Sequence, residues 1–201
     1  MKIRGLILLS VLTTFGLDIY SNDSFDYSSR EDVKEYIEEL SDKHGFNKIQ
    51  LSKLLNSAVY QEKVVRIMNR QPEGTMTWSK YKKMMVSQSR ISAGEEFINL
   101  HKEDLKKAED LYGVPAEIIA SIIGIETRYG RITGNIRVLD SLMTLSFNYP
   151  RRSKFFKVQL EEFLLLSREE GFNPESLEGS IAGAMGYGQF MPDSYRKYAV
   201  D

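Results

Sequence analysis

The sequence predicts an all-α protein, and three observations carry that prediction. Apolar residues recur at three- and four-residue spacing in one segment after another. Glycine and proline fall where those segments stop and start. Period-two alternation, the mark of a half-buried strand, is nowhere sustained.

The first helix is expected in "SSREDVKEYIEELSDKHGF". Serines supply capping signals, Val33, Tyr36, Ile37 and Leu40 share a face, and Gly45 stops it. "NKIQLSKLLNSAV" and "YQEKVVRIMNR" repeat the pattern, and "QPEGTMTW" reads as a loop broken by Pro72 and Gly74. One long amphipathic helix is expected from Ser92 to Tyr112, with Phe97, Ile98, Leu105, Ala108 and Leu111 on its apolar face and Gly113 ending it. Pro115 then sits near a helix start, where its missing N–H matters least. That helix carries Ile118, Ile119, Ile122, Ile123 and Ile125, apolar nearly all round, so it is expected to be a central buried helix. "VLDSLMTLSFN" and "RRSKFFKVQLEEFLLLSREE" complete the set, the second opened by Pro150 and closed by Gly171.

With 201 residues, 42% hydrophobic and 27% charged, the chain is an ordinary globular sequence long enough for one domain. Its 27 basic and 28 acidic residues nearly cancel, which argues against a nucleic-acid partner. The absence of cysteine excludes disulfides, thiolate metal sites, a cysteine nucleophile and a lipid-anchored cysteine. His44 and His101 lie far apart without metal-ligand spacing, so a zinc enzyme is not expected.

Lys2 and Arg4 precede the apolar stretch "GLILLSVLTTFGL", and the polar "DIYSND" follows it. This pattern fits a secretory signal over residues 1–21 and is short for a membrane span. Ile19 is a weak match to the small-residue rule for a cut after Ser21, so an uncleaved N-terminal anchor stays open. The expectation is a soluble protein exported to the periplasm or cell envelope.

Three stretches carry chemistry. In "IIASIIGIETRYG", Glu126 ends an apolar helix just before Gly130. Apolar surroundings and the negative end of the helix dipole both favour a protonated carboxyl, as general-acid catalysis requires. Arg128, two residues on, does not share its helix face. Taken alone, the stretch better describes a glutamate whose head reaches solvent at the helix end. "GSIAGAMGYGQFMP" has glycines at 179, 183, 186 and 188, so its backbone comes close to something and needs unusual dihedrals. It matches no phosphate-binding fingerprint. It is either a tight helix connection or a floor beneath an active-site helix, with Ser180 and Gln189 as donors to sugar hydroxyls. In "SFNYPRRSKFF", Arg151 and Arg152 are either solvated or held for an anionic glycan, since cations at a helix start oppose its dipole.

Together, "GIETRYGRITGNIRVLDSLMTLSFNYPRR" and then "GSIAGAMGYGQFMPDSYRKYAVD" closely resemble the lytic murein transglycosylase B family, over roughly residues 30 to 201. The order of the motifs is far more specific than any one of them. The resemblance implies a lysozyme-like helical catalytic domain with an N-terminal helical subdomain, incomplete at the C-terminus. On this basis residues 22–201 form the catalytic region, divided into an N-terminal part, 22–112, and a lysozyme-like core part, 113–201. The resemblance places the sole catalytic acid/base at Glu126. Substrate contacts fall on Ser180, Gln189, Arg151 and Arg152, on Tyr81 with Trp78 three residues before it, and on Phe190.

The implied reaction cleaves the β-1,4 bond between N-acetylmuramic acid (MurNAc) and N-acetylglucosamine (GlcNAc) and closes a 1,6-anhydro ring. A nucleophile within the substrate has high effective molarity, so one carboxylate suffices where most glycosidases use two. The other nearby acids, Asp140, Glu161 and Glu162, are expected in ion pairs or on solvated faces. No cofactor is expected. Asp201 looks like the first residue of a calcium loop found in longer relatives, and one acid cannot hold an ion that takes six to eight oxygens. Peptidoglycan strands are the expected partner of a monomer, with cell-wall synthesis proteins beside them. A truncated peptidoglycan-binding or scaffold protein is the alternative.

Overall fold

A computed structural model describes residues 25–70 and 76–200. The expected signal segment, 1–21, the loop breakers Pro72 and Gly74, and Asp201 lie outside the described residues. A short 3-10 turn, Tyr27–Ser29, leads into α1 (Glu31–His44), which ends on a left-handed Gly45. The serines sit in that turn and do not cap α1. Asp26 caps the turn, and Arg30 occupies the N-cap of α1 without a side-chain bond. Next come α2 (Lys48–Asn56), started by the Asn47 side chain, and α3 (Glu62–Asn69). The sequence reading missed α4 (Trp78–Met85), although Thr77 caps it by accepting from the Lys80 N–H.

The expected long helix is two helices, α5 (Gln88–Leu100) and α6 (Lys102–Tyr112). His101 breaks the run at φ −106°, ψ 25° and lays its ring against Phe97 at 4.4 Å. The break turns α6 back so that both helices pack against α7 (Ala116–Thr127). The chain then forms β1 (Ile136–Arg137), α8 (Val138–Asn148), a 3-10 turn at Pro150–Arg152 and α9 (Ser153–Glu169). It closes with β2 (Glu178–Gly179) and α10 (Pro192–Tyr198). The strands pair antiparallel, Ile136 with Gly179 and Arg137 with Glu178. Among the described residues this two-stranded ribbon is the whole of the sheet, so the fold is all-α with a lysozyme-like core, as expected.

Two apolar cores form. The larger joins α1, α2 and α3 to α8 and α9, so helices from both sides of residue 112 share one interior. The smaller gathers Phe97, Leu105 and Ala120, with Ile119, Ile123 and Tyr129 against them. This arrangement corrects the expectation for α7. Its Ile118, Ile122 and Ile125 are about half exposed, at 52%, 53% and 50%. The face toward α5 and α6 is covered, and no described element lies over the other. The central buried helix is α8, where ten of eleven residues are buried. Asp140 and Thr144 fit its interior because they have partners, whereas the buried Ser146 hydroxyl has none among the described residues. Asp140 accepts from the Val59 N–H at 2.9 Å and from Arg137, and Thr144 accepts from the Gln61 N–H at 3.0 Å.

Candidate active site

Glu126 lies on the last turn of α7, and its surroundings follow from how that helix ends. Arg128, Tyr129 and Gly130 all have positive φ, at 51°, 61° and 81°. Such a run throws the chain sharply away from the helix axis and leaves Glu126 exposed at its rim. The apolar burial expected around this carboxylate is therefore not supplied by the described residues. No ion pair is formed between Glu126 and Arg128.

The turn is tied to the glycine-rich segment by three contacts. Thr127, fully buried, takes the Gly130 N–H on its hydroxyl oxygen at 2.9 Å and shares its own proton between Ile123 O and Tyr187 O. The Tyr187 ring lies against Gly130, where an added Cβ would come within 2.4 Å of it. Gln189 donates from Nε2 to Thr133 O and to Gly186 O, both at 3.0 Å. The glycines of this segment are needed at two further points. A Cβ at Gly179 would strike the Ala184 carbonyl oxygen at 2.4 Å, and one at Gly183 would meet Leu142 at 2.6 Å. The segment therefore forms the floor beside the α7 exit, one of the two possibilities left open by its sequence.

Ser180 and Gln189 are placed differently from the simple donors expected. The Ser180 hydroxyl oxygen accepts from the Ala182 and Ala184 N–H groups at 3.3 and 3.0 Å, so its own proton remains to be donated. Gln189, held at φ 51°, has both amide protons committed to backbone carbonyls, which leaves Oε1 as an acceptor. Phe190 continues the same segment, 43% exposed, and its backbone bridges to Met185.

Tyr81 and the arginines stand apart from this group. Tyr81 stacks on the exposed Trp78, ring centroids 6.0 Å apart, and no hydrogen bond among the described residues ties it to α7. Arg151 and Arg152 are exposed in the turn before α9, with the Arg152 guanidinium 4.2 Å over the Phe155 ring. That stacking gives Arg152 a partner that does not depend on the helix dipole. The other acids are occupied as expected: Asp140 by Arg137, Glu161 by Lys43 and His44, and Glu162 by Arg196. Glu178, which no sequence motif singles out, is exposed two residues before Ser180 without an ion pair among the described residues. Among the described residues no group of three or more acids and histidines is arranged to hold a metal.

Behind the exit of α7, a groove of about 320 Å³ runs between α7 and the α4–α5 segment. Gly124, Ile125 and Tyr129 line it and Glu126 does not. Sequence reasoning missed Thr127, Tyr129 and Tyr187. Only the "ETRYG" and "MGYGQ" contexts hinted at them, because positive φ at Arg128 and Tyr129 has no composition signal.

Residues 28–201 match the transglycosylase SLT domain family. Among curated proteins, the chain is 44% identical over 185 residues to the membrane-bound lytic murein transglycosylase B of Escherichia coli (strain K12), covering 88% of this chain and 51% of that protein. It is similar to the crystal structure of soluble lytic transglycosylase SltB1 from Pseudomonas aeruginosa, with a TM-score of 0.83 and 49% identity over 85% of this chain and 57% of that one. It is also similar to SltB3 from Pseudomonas aeruginosa, solved in complex with NAG-anhNAM-pentapeptide, with a TM-score of 0.77 and 29% identity over 85% and 45% of the two chains. The chain spans about half the length of the curated relative it matches. With the family match running through both helical cores and every motif around Glu126, the chain belongs to the transglycosylase SLT domain family.

Proposed function

We propose that this chain carries the active site of a lytic murein transglycosylase that cleaves the MurNAc–GlcNAc β-1,4 bond. Glu126, protonated, gives its proton to the glycosidic oxygen as the C1–O bond breaks and positive charge develops at C1. The resulting carboxylate takes the proton of the MurNAc C6 hydroxyl, and O6 bonds to C1. The product ends in 1,6-anhydro-MurNAc, no water is consumed, and Glu126 finishes protonated as it began. No step uses a cofactor.

The observation that carries this reading is the placement of Glu126. It is an exposed carboxylate on the last turn of α7, and the turn after it is tied to the loop bearing Ser180 and Gln189. The proposed substrate contacts are Ser180 as donor, Gln189 Oε1 as acceptor, and Phe190 and Tyr81 as aromatic surfaces for sugar rings. Arg151 and Arg152 would pair with the carboxylates of the muramic acid or its peptide. The names of the relatives, which refer to murein and to a NAG-anhNAM-pentapeptide ligand, support this substrate class. The working protein is placed in the cell envelope as a monomer on murein strands, beside cell-wall synthesis proteins, with residues 1–21 as its export signal. Among the described residues, no helix is long and apolar enough to cross a membrane.

Mass spectrometry of purified murein digested with this chain tests the reading. Soluble muropeptides ending in 1,6-anhydro-MurNAc, lighter by one water than hydrolysis products, are expected. Products that carry that water would defeat it. Sedimentation with sacculi and no released fragment would favour a murein-binding scaffold instead.

A further inference from the structure

Glu126 lies two residues from a backbone conformation that side chains other than glycine rarely adopt, and α5 holds that conformation at two points. The Tyr129 ring, at φ 61°, is wedged between α5 and α7. A Cβ added at Gly94 of α5 would sit 2.6 Å from the Tyr129 hydroxyl oxygen, and one at Gly124 of α7 would sit 2.5 Å from its ring. Both positions accept only glycine while the ring is there. The Tyr129 hydroxyl donates to Arg90 O at 3.1 Å. Arg90 in turn donates from Nη1 to Gly124 O at 3.0 Å. The Arg128 and Tyr129 N–H groups both turn to Ile123 O at this helix end, so Arg90 takes up the next carbonyl along.

One residue of α5 therefore grips the exit of α7 twice, once through its backbone carbonyl and once through its guanidinium. The grip has a physical purpose. Left-handed backbone at a residue with a side chain persists only where surrounding contacts over-determine it. A cation on the last carbonyls of a helix is also favoured by the helix dipole. Packing alone needs neither contact: Phe97, 5.5 Å from the Tyr129 ring, supplies apolar cover without a hydroxyl bond or a guanidinium.

We propose that Arg90 and Tyr129 are positioning residues, a two-point clasp through which α5 sets the direction of the α7 exit and so of the Glu126 carboxylate. The proposal rests on Glu126 being the acid/base, and it makes α5, from the N-terminal part of the chain, a working component of the site. It also accounts for two glycines, Gly94 and Gly124, that no catalytic role requires.

Gly94→Ala is the cleanest probe. It changes no charge, suits a helix, and places a methyl group against the tyrosine hydroxyl. With the full chain and soluble murein glycan as substrate, Gly94→Ala is expected to lower kcat about 100-fold with KM little changed, the scale of a small misplacement of a reacting group. Adding Tyr129→Phe removes the atom the methyl group strikes, so the double variant recovers to the level of Tyr129→Phe alone. The carbon-13 resonance of the Glu126 carboxyl, followed in the labelled chain, should move in Gly94→Ala and also, by less, in Tyr129→Phe, which removes one of the two points of the clasp. An unmoved resonance with wild-type kcat in Gly94→Ala, or an unmoved resonance with wild-type kcat in Tyr129→Phe, overturns the clasp. Turnover retained by Glu126→Gln defeats the acid/base reading and leaves the resonance result standing, so the two failures are distinguishable.

Discussion

Glu126 draws its setting from three neighbours that the chain holds in unusual ways. Thr127 is buried and saturated with hydrogen bonds, while Arg128 and Tyr129 adopt left-handed backbone, which costs about 1–2 kcal/mol per residue without a compensating partner. Gly130 completes the turn at φ 81° with the Tyr187 ring against it. Gly130→Ala should therefore lower both the melting temperature and turnover, with a stability loss of about 1–3 kcal/mol in denaturant melts. Glu178 supplies the opposite control. It is the exposed acid nearest Ser180 in sequence, and a one-carboxylate mechanism leaves it nothing to do. Glu178→Gln should release anhydro-muropeptides at nearly the wild-type rate, and a loss comparable to that of Glu126→Gln would mean that two carboxylates act. Glu126 was singled out by the resemblance of the combined motifs and not by its apolar company in "IIASIIGIETRYG", and its exposed setting was not legible at all. A count of isoleucines does not say which face of a helix finds a partner.

At the scale of elements, α7 and α8 exchange the places that composition assigns them. Five isoleucines suggested that α7 was central, whereas α8, with Asp140, Ser141, Thr144 and Ser146, was expected only as one more helix. The structure buries α8 because loop N–H groups of Val59 and Gln61 meet its polar side chains, a pairing that lies some 80 residues away in sequence and leaves no local mark. Two substitutions read out the exchange. Leu142→Ala in α8 should cost about 2–5 kcal/mol, and Ile122→Ser in α7 should stay within about 0.5 kcal/mol of wild type, both by chemical denaturation. The break at His101 was equally silent, since neither glycine nor proline stands there. The stops at Gly45, Gly113 and Gly171 were legible because each is a left-handed glycine after a periodic run.

For the whole molecule, the larger core ties the chain's first helix to its ninth, and charge contributes at that junction. Burial raises the Glu161 carboxyl, but hydrogen bonds from Lys43 and His44, each at 2.8 Å, outweigh it and leave it below the ordinary glutamate value. Arg30 likewise holds the Asp32 carboxyl low. A carboxyl more acidic in the folded state stabilises the fold above its unfolded pKa, and this contribution disappears as the pH falls through the folded value. Thermal melts should therefore lose stability as the pH drops below about 4, and the loss should be smaller in Glu161→Gln. Catalysis is proposed to depend, by contrast, on one proton at the exposed Glu126 carboxylate, and Glu126→Gln tests that most directly. With fold and sacculus binding checked by circular dichroism and sedimentation, the account predicts that the wild-type chain releases 1,6-anhydro-muropeptides from purified murein and that Glu126→Gln binds the sacculus yet releases none. Anhydro-muropeptides persisting in the Glu126→Gln digest would contradict it.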